Sequence, residues 1–320
     1  MTLIYNATFD KNTRKLSFED RAGNEIYSFT VPERGPAVDD ITKPLTFKAT
    51  QDGSKVWMNT GGYPTGSFQM SRDGGNTWSH HVIGTAITLN AGDEVSIRAE
   101  SDRTSDQWNN EYYRFKMEGK IEAWHNVMSL YRTNDFATYE SVVQYAFYYL
   151  FKDCTSLTKA PILPATTLAR NCYEYMFSGC QSLTKAPELP ATTLADDCYS
   201  EMFSGCRSLT KAPELPATTL TQYCYQYMFQ KCQSLTKAPE LPATTLAPYC
   251  YQCMFLGCQS LKEVRVSATT KATSALTNWL RDVSATGDFY CNPNATIFPT
   301  GASGIPANWR RLNINDYPTT

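Results

Sequence analysis

The feature that most restricts this chain is a beat of 26 residues. Cys154, Cys180, Cys206, Cys232 and Cys258 form one series, and Cys172, Cys198, Cys224 and Cys250 form a second. Leu157, Leu183, Leu209, Leu235 and Leu261 keep the same spacing. A period of this length is the mark of a repeat architecture, in which one unit cannot bury its own apolar face and stacked copies can. The stack expected here is a solenoid whose coils hydrogen-bond to one another at about 4.8 Å.

Within a unit, Cys198, Tyr199, Met202, Phe203 and Cys206 make an i, i+1, i+4, i+5, i+8 stripe that predicts a short helix with one buried face. Asp196 and Asp197 stand where a helix start favours negative charge, Pro248 occupies a comparable place in another unit, and Gly205 suits the end. The first half carries Pro187 and Pro190, so it supplies only a brief strand and a turn. Ala146 to Cys154 reads as a degenerate first helix. Past Leu261 the beat dissolves into a C-terminal cap, with a helix expected around Ala275 to Arg281 and a β-like tail from Asp288.

Residues 1 to about 122 show alternation and turn punctuation instead. Strands are predicted at Thr2–Phe9, Lys15–Glu19, Glu25–Val31, Leu45–Ala49, Lys55–Asn59, Ser67–Ser71, Ala86–Leu89, Glu94–Ala99 and Tyr112–Met117. Gly23-Asn24, Asp52-Gly53, Asp73-Gly74-Gly75 and Ala91-Gly92-Asp93 mark turns. Pro32 to Pro36 reads as a linker. The expected fold is α+β multidomain: an N-terminal all-β (β-sandwich) region, then a leucine-rich-repeat-like α/β solenoid of 26-residue units. The parts are a β attachment element with linker at 1–43, a β-sandwich at 44–122, the solenoid at 123–262 and a cap at 263–320.

The 29 basic and 31 acidic residues leave a net charge of −2 with no basic stripe, which argues against nucleic acid as a partner. The start, Met1 to Asn6, lacks the charged and apolar regions of a secretory signal. The most apolar stretch, Val142 to Phe151, is far shorter than the roughly 20 residues of a membrane span, so no membrane insertion is expected.

The unit, with its Cys-x-Ser-Leu and Met-Phe-x-Gly-Cys elements, resembles the BspA-type leucine-rich repeats of surface proteins of gut Bacteroidales and of their phages, crAss-like phage virion and fibre proteins included. The likeness covers about residues 125 to 300. Leu45 to Ile121, with Ser71 to Trp78 and Leu89 to Val95, is similar to the β-domain that often precedes such repeats. Gln230-Lys231 departs from the Ser-Gly at 178–179, which puts that turn's geometry in doubt. The resemblance implies binding or adhesion: a phage virion appendage meeting the bacterial envelope, a bacterial surface adhesin whose signal has been removed, or a purely structural virion subunit. The implied partners are a bacterial surface glycan or protein, other virion subunits through the N-terminal region, and a second copy in a homo-oligomer.

Ser71, Asp73, Gly75, Thr77 and Trp78 match an Asp-box, read here as a hairpin element because it occurs once and without propeller blades. Cys172, Cys180, Cys198, Cys206, Cys224, Cys232, Cys250 and Cys258 are read as a structural ladder of buried thiols, with disulfides or metal as the alternatives. The chain's three histidines, His80, His81 and His125, all lie outside the repeats, and Cys253, which makes the one CxxC with Cys250, reads as exposed. Lys185, Lys211 and Lys237 with Glu188, Glu214 and Glu240 make two charged columns, either a charge-selective strip or a solvated surface. The units differ most at 170–171, 196–197, 222–223 and 248–249. Arg170, Tyr175, Arg207, Tyr223, Tyr227 and Tyr249 are therefore the candidate binding surface, with Trp57, Trp108, Tyr112 and Tyr113 as a second platform or as core. No nucleophile and base constellation, phosphate loop or dinucleotide fingerprint appears, so neither enzymatic activity nor a cofactor is expected.

Overall fold

A computed structural model describes residues 6–10, 15–19, 22, 25–30, 39–60, 67–102 and 113–317. The chain divides into two compact units, Met1–Asp39 and Asp40–Thr320. The first holds an antiparallel meander of β1 (Asn6–Asp10), β2 (Lys15–Glu19) and β3 (Glu25–Thr30), with a register shift between Phe18 and Glu19. The expected linker at 32–36 lies outside the described residues.

The second unit begins with two facing sheets. β4 (Thr46–Ala49), β6 (Phe68–Ser71), β7 (Ser79–His81), β9 (Glu94–Ala99) and β11 (Ile121–Trp124) belong to one sheet. β5 (Ser54–Thr60), β8 (Ile87–Leu89) and β10 (Tyr113–Glu118) make the other. Period-two alternation puts Val56 and Met58 inward on β5 and Tyr113, Phe115 and Met117 inward on β10. The faces meet through edge-to-face rings, Phe47 against Phe115 at 4.7 Å and Phe68 against Tyr113 at 5.0 Å.

The larger sheet does not stop at the sandwich. Its sixth strand, β12 (Leu157–Lys159), comes from the first repeat and pairs in parallel with β11. On the opposite side of that coil Phe115 N–H donates to the Leu150 carbonyl at 2.7 Å, and the Phe151 ring stacks on Phe115 at 5.3 Å. The hydrophobic core is therefore continuous from Leu45 to Trp309.

The expected helices are absent: the described residues hold no α-helix, and their only helical turns are 3-10 turns at Val127–Leu130 and Ile314–Asp316. The stripe that predicted them has a period of four, not 3.6. An α-helix would carry such a stripe off its face by about 40° per turn. The chain keeps the four-residue beat by placing every fourth residue in the left-handed region, as at Asp197 (φ 57), Glu201 (φ 53) and Gly205 (φ 76). N–H groups then alternate. Ser200, Met202 and Ser204 donate within the coil, to Asp197, Tyr199 and Glu201, whereas Tyr199, Glu201, Phe203 and Gly205 donate to the next coil, to Cys224, Gln226, Met228 and Gln230. A left-handed residue costs roughly 1–2 kcal/mol. Two aromatic columns buried at each coil offset that cost. Phe151, Phe177, Phe203, Phe229 and Phe255 stack at 5.4–5.8 Å, and Tyr173, Tyr199, Tyr225 and Tyr251 at 5.8–6.1 Å.

The proline-bearing half of each unit supplies single parallel bridges, such as Lys185 to Lys211 and Thr167 to Thr193 to Thr219. Gln230-Lys231 does not disturb its turn, since Lys231 takes the same left-handed place (φ 58) as Gly205. The segment expected as a helix at Ala275 to Arg281 is another such coil, with Ser274, Asn278 and Asp282 left-handed and Trp279 ending the tyrosine column against Tyr251 at 6.2 Å. β13 (Thr245–Leu246) pairs with β15 (Thr270–Lys271). β14 (Glu263–Arg265), β16 (Gly287–Cys291) and β17 (Trp309–Asn313) form a parallel sheet in that order.

Candidate functional site

All eleven cysteines are free thiols and buried. In the inner column Cys154, Cys180, Cys206, Cys232 and Cys258 donate Sγ–H to the carbonyls of Phe115, Phe151, Phe177, Phe203 and Phe229, at 2.9–3.2 Å. Cys172, Cys198, Cys224 and Cys250 precede the stacked tyrosines. Burial pushes the thiols of Cys154, Cys172, Cys206, Cys250 and Cys258 up to about 12, so they stay protonated and poorly nucleophilic. Cys253, read from the sequence as exposed, is only 4% exposed. It sits at a left-handed position (φ 53), and its short side chain packs down against the next coil with Sγ 3.6 Å from the Thr277 carbonyl. Among the described residues no group of His, Cys, Asp and Glu is arranged to hold a metal ion.

The Asp-box is a hairpin closure. Asp73 accepts from Thr77 N–H at 2.9 Å, Thr77 Oγ1 at 2.6 Å and Ser71 Oγ at 2.7 Å, and Trp78 Nε1 donates back to the Gly75 carbonyl at 2.9 Å. The Thr77 hydroxyl, more than any other group, holds Asp73 well below the usual carboxylate range. Arg98 lies 4.0 Å over the Trp78 ring. Of the second aromatic platform, Tyr113 is core at 1% exposure, Trp57 is half-buried on β5, and Trp108 and Tyr112 lie outside the described residues.

Each coil's three left-handed positions form columns along one edge of the stack. The first column holds Tyr145, Asn171, Asp197, Tyr223, Tyr249 and Ser274, and the second holds Tyr149, Tyr175, Glu201, Tyr227, Cys253 and Asn278. Tyr223 and Tyr249 thus stack on adjacent coils at 4.8 Å. Tyr175 and Tyr227 share the second column with Glu201 between them, and Tyr175 Oη donates to Glu201 Oε1 at 2.8 Å. Arg170 precedes the first column and pairs with Asp197 at 3.6 Å. Arg207 is exposed two residues beyond Gly205, and none of the ring contacts of these columns among the described residues involves it.

The sequence reading missed the largest cluster on this edge. Tyr148 and Tyr149 lie 6.0 and 4.8 Å from Tyr175, and Lys152 Nζ sits 4.4 Å over both Tyr149 and Tyr175. The signal was the Tyr148-Tyr149 pair one period before Glu174-Tyr175, in a segment read only as a degenerate first helix. Burial, more than its other neighbours, pushes the Glu174 carboxyl beside Tyr175 up to about 7.

The charged columns lie on the proline-bearing side and end at a cleft of about 540 Å³ whose lining includes Lys211, Glu214, Lys237, Glu240, Arg265 and Tyr317. Lys237 pairs with Glu263 at 3.0 Å and Arg265 with Glu240 at 2.9 Å. Lys237 Nζ and Arg265 Cζ lie 4.9 and 4.7 Å from the centre of the Tyr317 ring, and Tyr317 Oη donates to Glu263 at 2.6 Å.

Stacked coils joined by bridges on one side and packed on buried phenylalanines and cysteines on the other define a repeat protein. Residues 144–278 match the BspA type leucine rich repeat region in six copies, and this stretch of the chain is a BspA-type leucine-rich repeat region. No curated protein and no solved structure matches the chain.

Proposed function

We propose that the protein is a non-enzymatic recognition protein in which the leucine-rich repeats form one solenoid of 26-residue units. Its tyrosine-bearing edge would meet a glycan or protein of the bacterial envelope. The observation that carries this reading is where the tyrosines stand. Tyr145, Tyr149, Tyr175, Tyr223, Tyr227 and Tyr249 are only partly buried, yet all are left-handed, at φ 53 to 63. Gly, Asn or Asp is the easy residue at such a position, and Asn171, Asp197 and Asn278 show that the fold accepts them. Strained backbone that presents half-exposed aromatic rings is a feature of recognition surfaces, where rigid rings contribute contact area at low entropic cost.

The same edge would serve a virion appendage or a bacterial surface adhesin. Its test is retention of labelled full-length protein on bacterial cells with and without their capsular polysaccharide. Tyr149→Ala/Tyr175→Ala and Tyr223→Ala/Tyr249→Ala variants are measured in parallel. Loss of two stacking rings is expected to weaken retention about tenfold or more. Wild-type protein that no cell retains, or retention unchanged in both variants, would sink the reading.

A further inference from the structure

The charged columns repeat from coil to coil, but their surroundings do not. At the C-terminal end of the cleft every charge is matched, Lys237 by Glu263 and Arg265 by Glu240. One coil earlier Lys211 and Glu214 face the same cleft with no ion-pair partner within 4.0 Å among the described residues. The substitution that breaks the repeat causes the difference: Glu263 stands one period after Lys237, bridged to it, where the column would place another lysine. The sequence thus neutralises one half of the cleft and leaves one cation and one carboxylate free in the other.

The walls narrow the ligand further. Tyr317 supplies a phenol ring and Pro239 an apolar surface, with Thr210 at the rim. Arg265 Nε is buried in the wall without a hydrogen-bond partner. A volume of about 540 Å³ falls in the roughly 300–1,000 Å³ range of small-ligand clefts. A sugar ring matches this mixture, with a CH face for the aromatic wall and an edge of hydroxyls able to donate to Glu214, since an ionised carboxylate only accepts. A polyanion without hydroxyl donors would be repelled by Glu214, and a neutral sugar would gain from Lys211 hydrogen bonds to its hydroxyls but no charge pairing.

We propose that this cleft binds a saccharide carrying a carboxylate, with the carboxylate on Lys211, hydroxyls on Glu214 and the ring against Tyr317. The site lies apart from the tyrosine-bearing edge and does not rest on that reading. The experiment is calorimetric titration of the full chain with oligogalacturonate and with a neutral galactose oligosaccharide of equal length, at low salt and at 0.5 M salt. The acidic oligomer is expected to bind about tenfold or more tightly than the neutral one, less so at high salt. Lys211→Gln, whose exposed site leaves melting unchanged, should remove that preference, and Tyr317→Ala should weaken both sugars. Tyr223→Ala/Tyr249→Ala should leave the titration as it was. Equal affinity for the two sugars, no binding of oligogalacturonate, or a preference that survives Lys211→Gln overturns the proposal. Loss of cell retention alone in the tyrosine variants would speak only to the other site.

Discussion

At the scale of single residues, the cysteine column shows what a 26-residue period can specify that one residue cannot. The carbonyls of Phe151, Phe177, Phe203 and Phe229 each take two donors. Phe177 O accepts Cys180 N–H at 3.0 Å from its own coil and Cys206 Sγ at 3.1 Å from the next. Cys206→Ala removes the second donor and leaves a small void, and urea unfolding should show a loss of about 1–2 kcal/mol. The thiols also set a limit at high pH. Those raised to about 12 from an ordinary 9.0 hold their proton in the fold through a range where the unfolded chain releases it. Their contribution is complete below pH 9 and is lost as pH climbs toward 12. Denaturant midpoints measured from pH 8 to 11 should hold and then fall, and a midpoint that keeps rising through pH 10 would contradict the buried column. Lys231 offers the opposite test. It occupies the left-handed place that Gly179, Gly205 and Gly257 fill elsewhere, so Lys231→Gly should stabilise by about 1 kcal/mol.

At the scale of the element, the coil behaves as the indivisible unit, because its inter-coil bonds join residues 25 apart in sequence, as from Tyr199 to Cys224. Removing residues 207–232, one whole period, rejoins Cys206 to Gln233 and should leave a folded protein with a single cooperative transition. Removing 207–219 misregisters the Phe and Cys columns and should abolish that transition, as followed by near-ultraviolet circular dichroism. The period and the buried residues were legible from Cys, Leu, Phe and Met spacing alone. The conformation was not, because Cys198, Tyr199, Met202 and Phe203 fit a helix stripe over six residues and only the repeated interval of four separates the alternatives. What decided it was the chain one period away, whose carbonyls at Cys224, Gln226 and Met228 accept the bonds a helix would have made internally. The tyrosine edge was half legible for a similar reason. Tyr223 and Tyr249 stood out by differing from their counterparts, whereas Tyr148 and Tyr149 were absorbed into an apolar run.

At the scale of the molecule, the β-sandwich and the repeats of the second unit are one folded object. β12 completes the sandwich's sheet, and Phe151 stacks on Phe115 and meets Phe47 edge to face. A fragment of residues 123–320 should therefore expose Phe147 and Phe151 and bind hydrophobic dye with a broad transition, whereas residues 40–320 should melt as sharply as the whole. The turn ladder adds one more property. Along the left-handed turns from Tyr145 to Gly257 the bonds that cross between coils run from an N–H to a carbonyl of the following coil, whereas on the proline-bearing side Thr210 and Ser234 donate back to Thr184 and Arg207. The peptide dipoles of the left-handed turns add along the stack as in a helix, but with the positive pole toward the C-terminal end, the reverse of a helix's sense along its chain. The last coil must then present N–H groups with no further coil to receive them. Ser303 Oγ and the Ala302 carbonyl take the amides of Asn278 and Leu280, at 3.0 and 3.2 Å, which makes the loop near residue 303 the electrical terminus of the array.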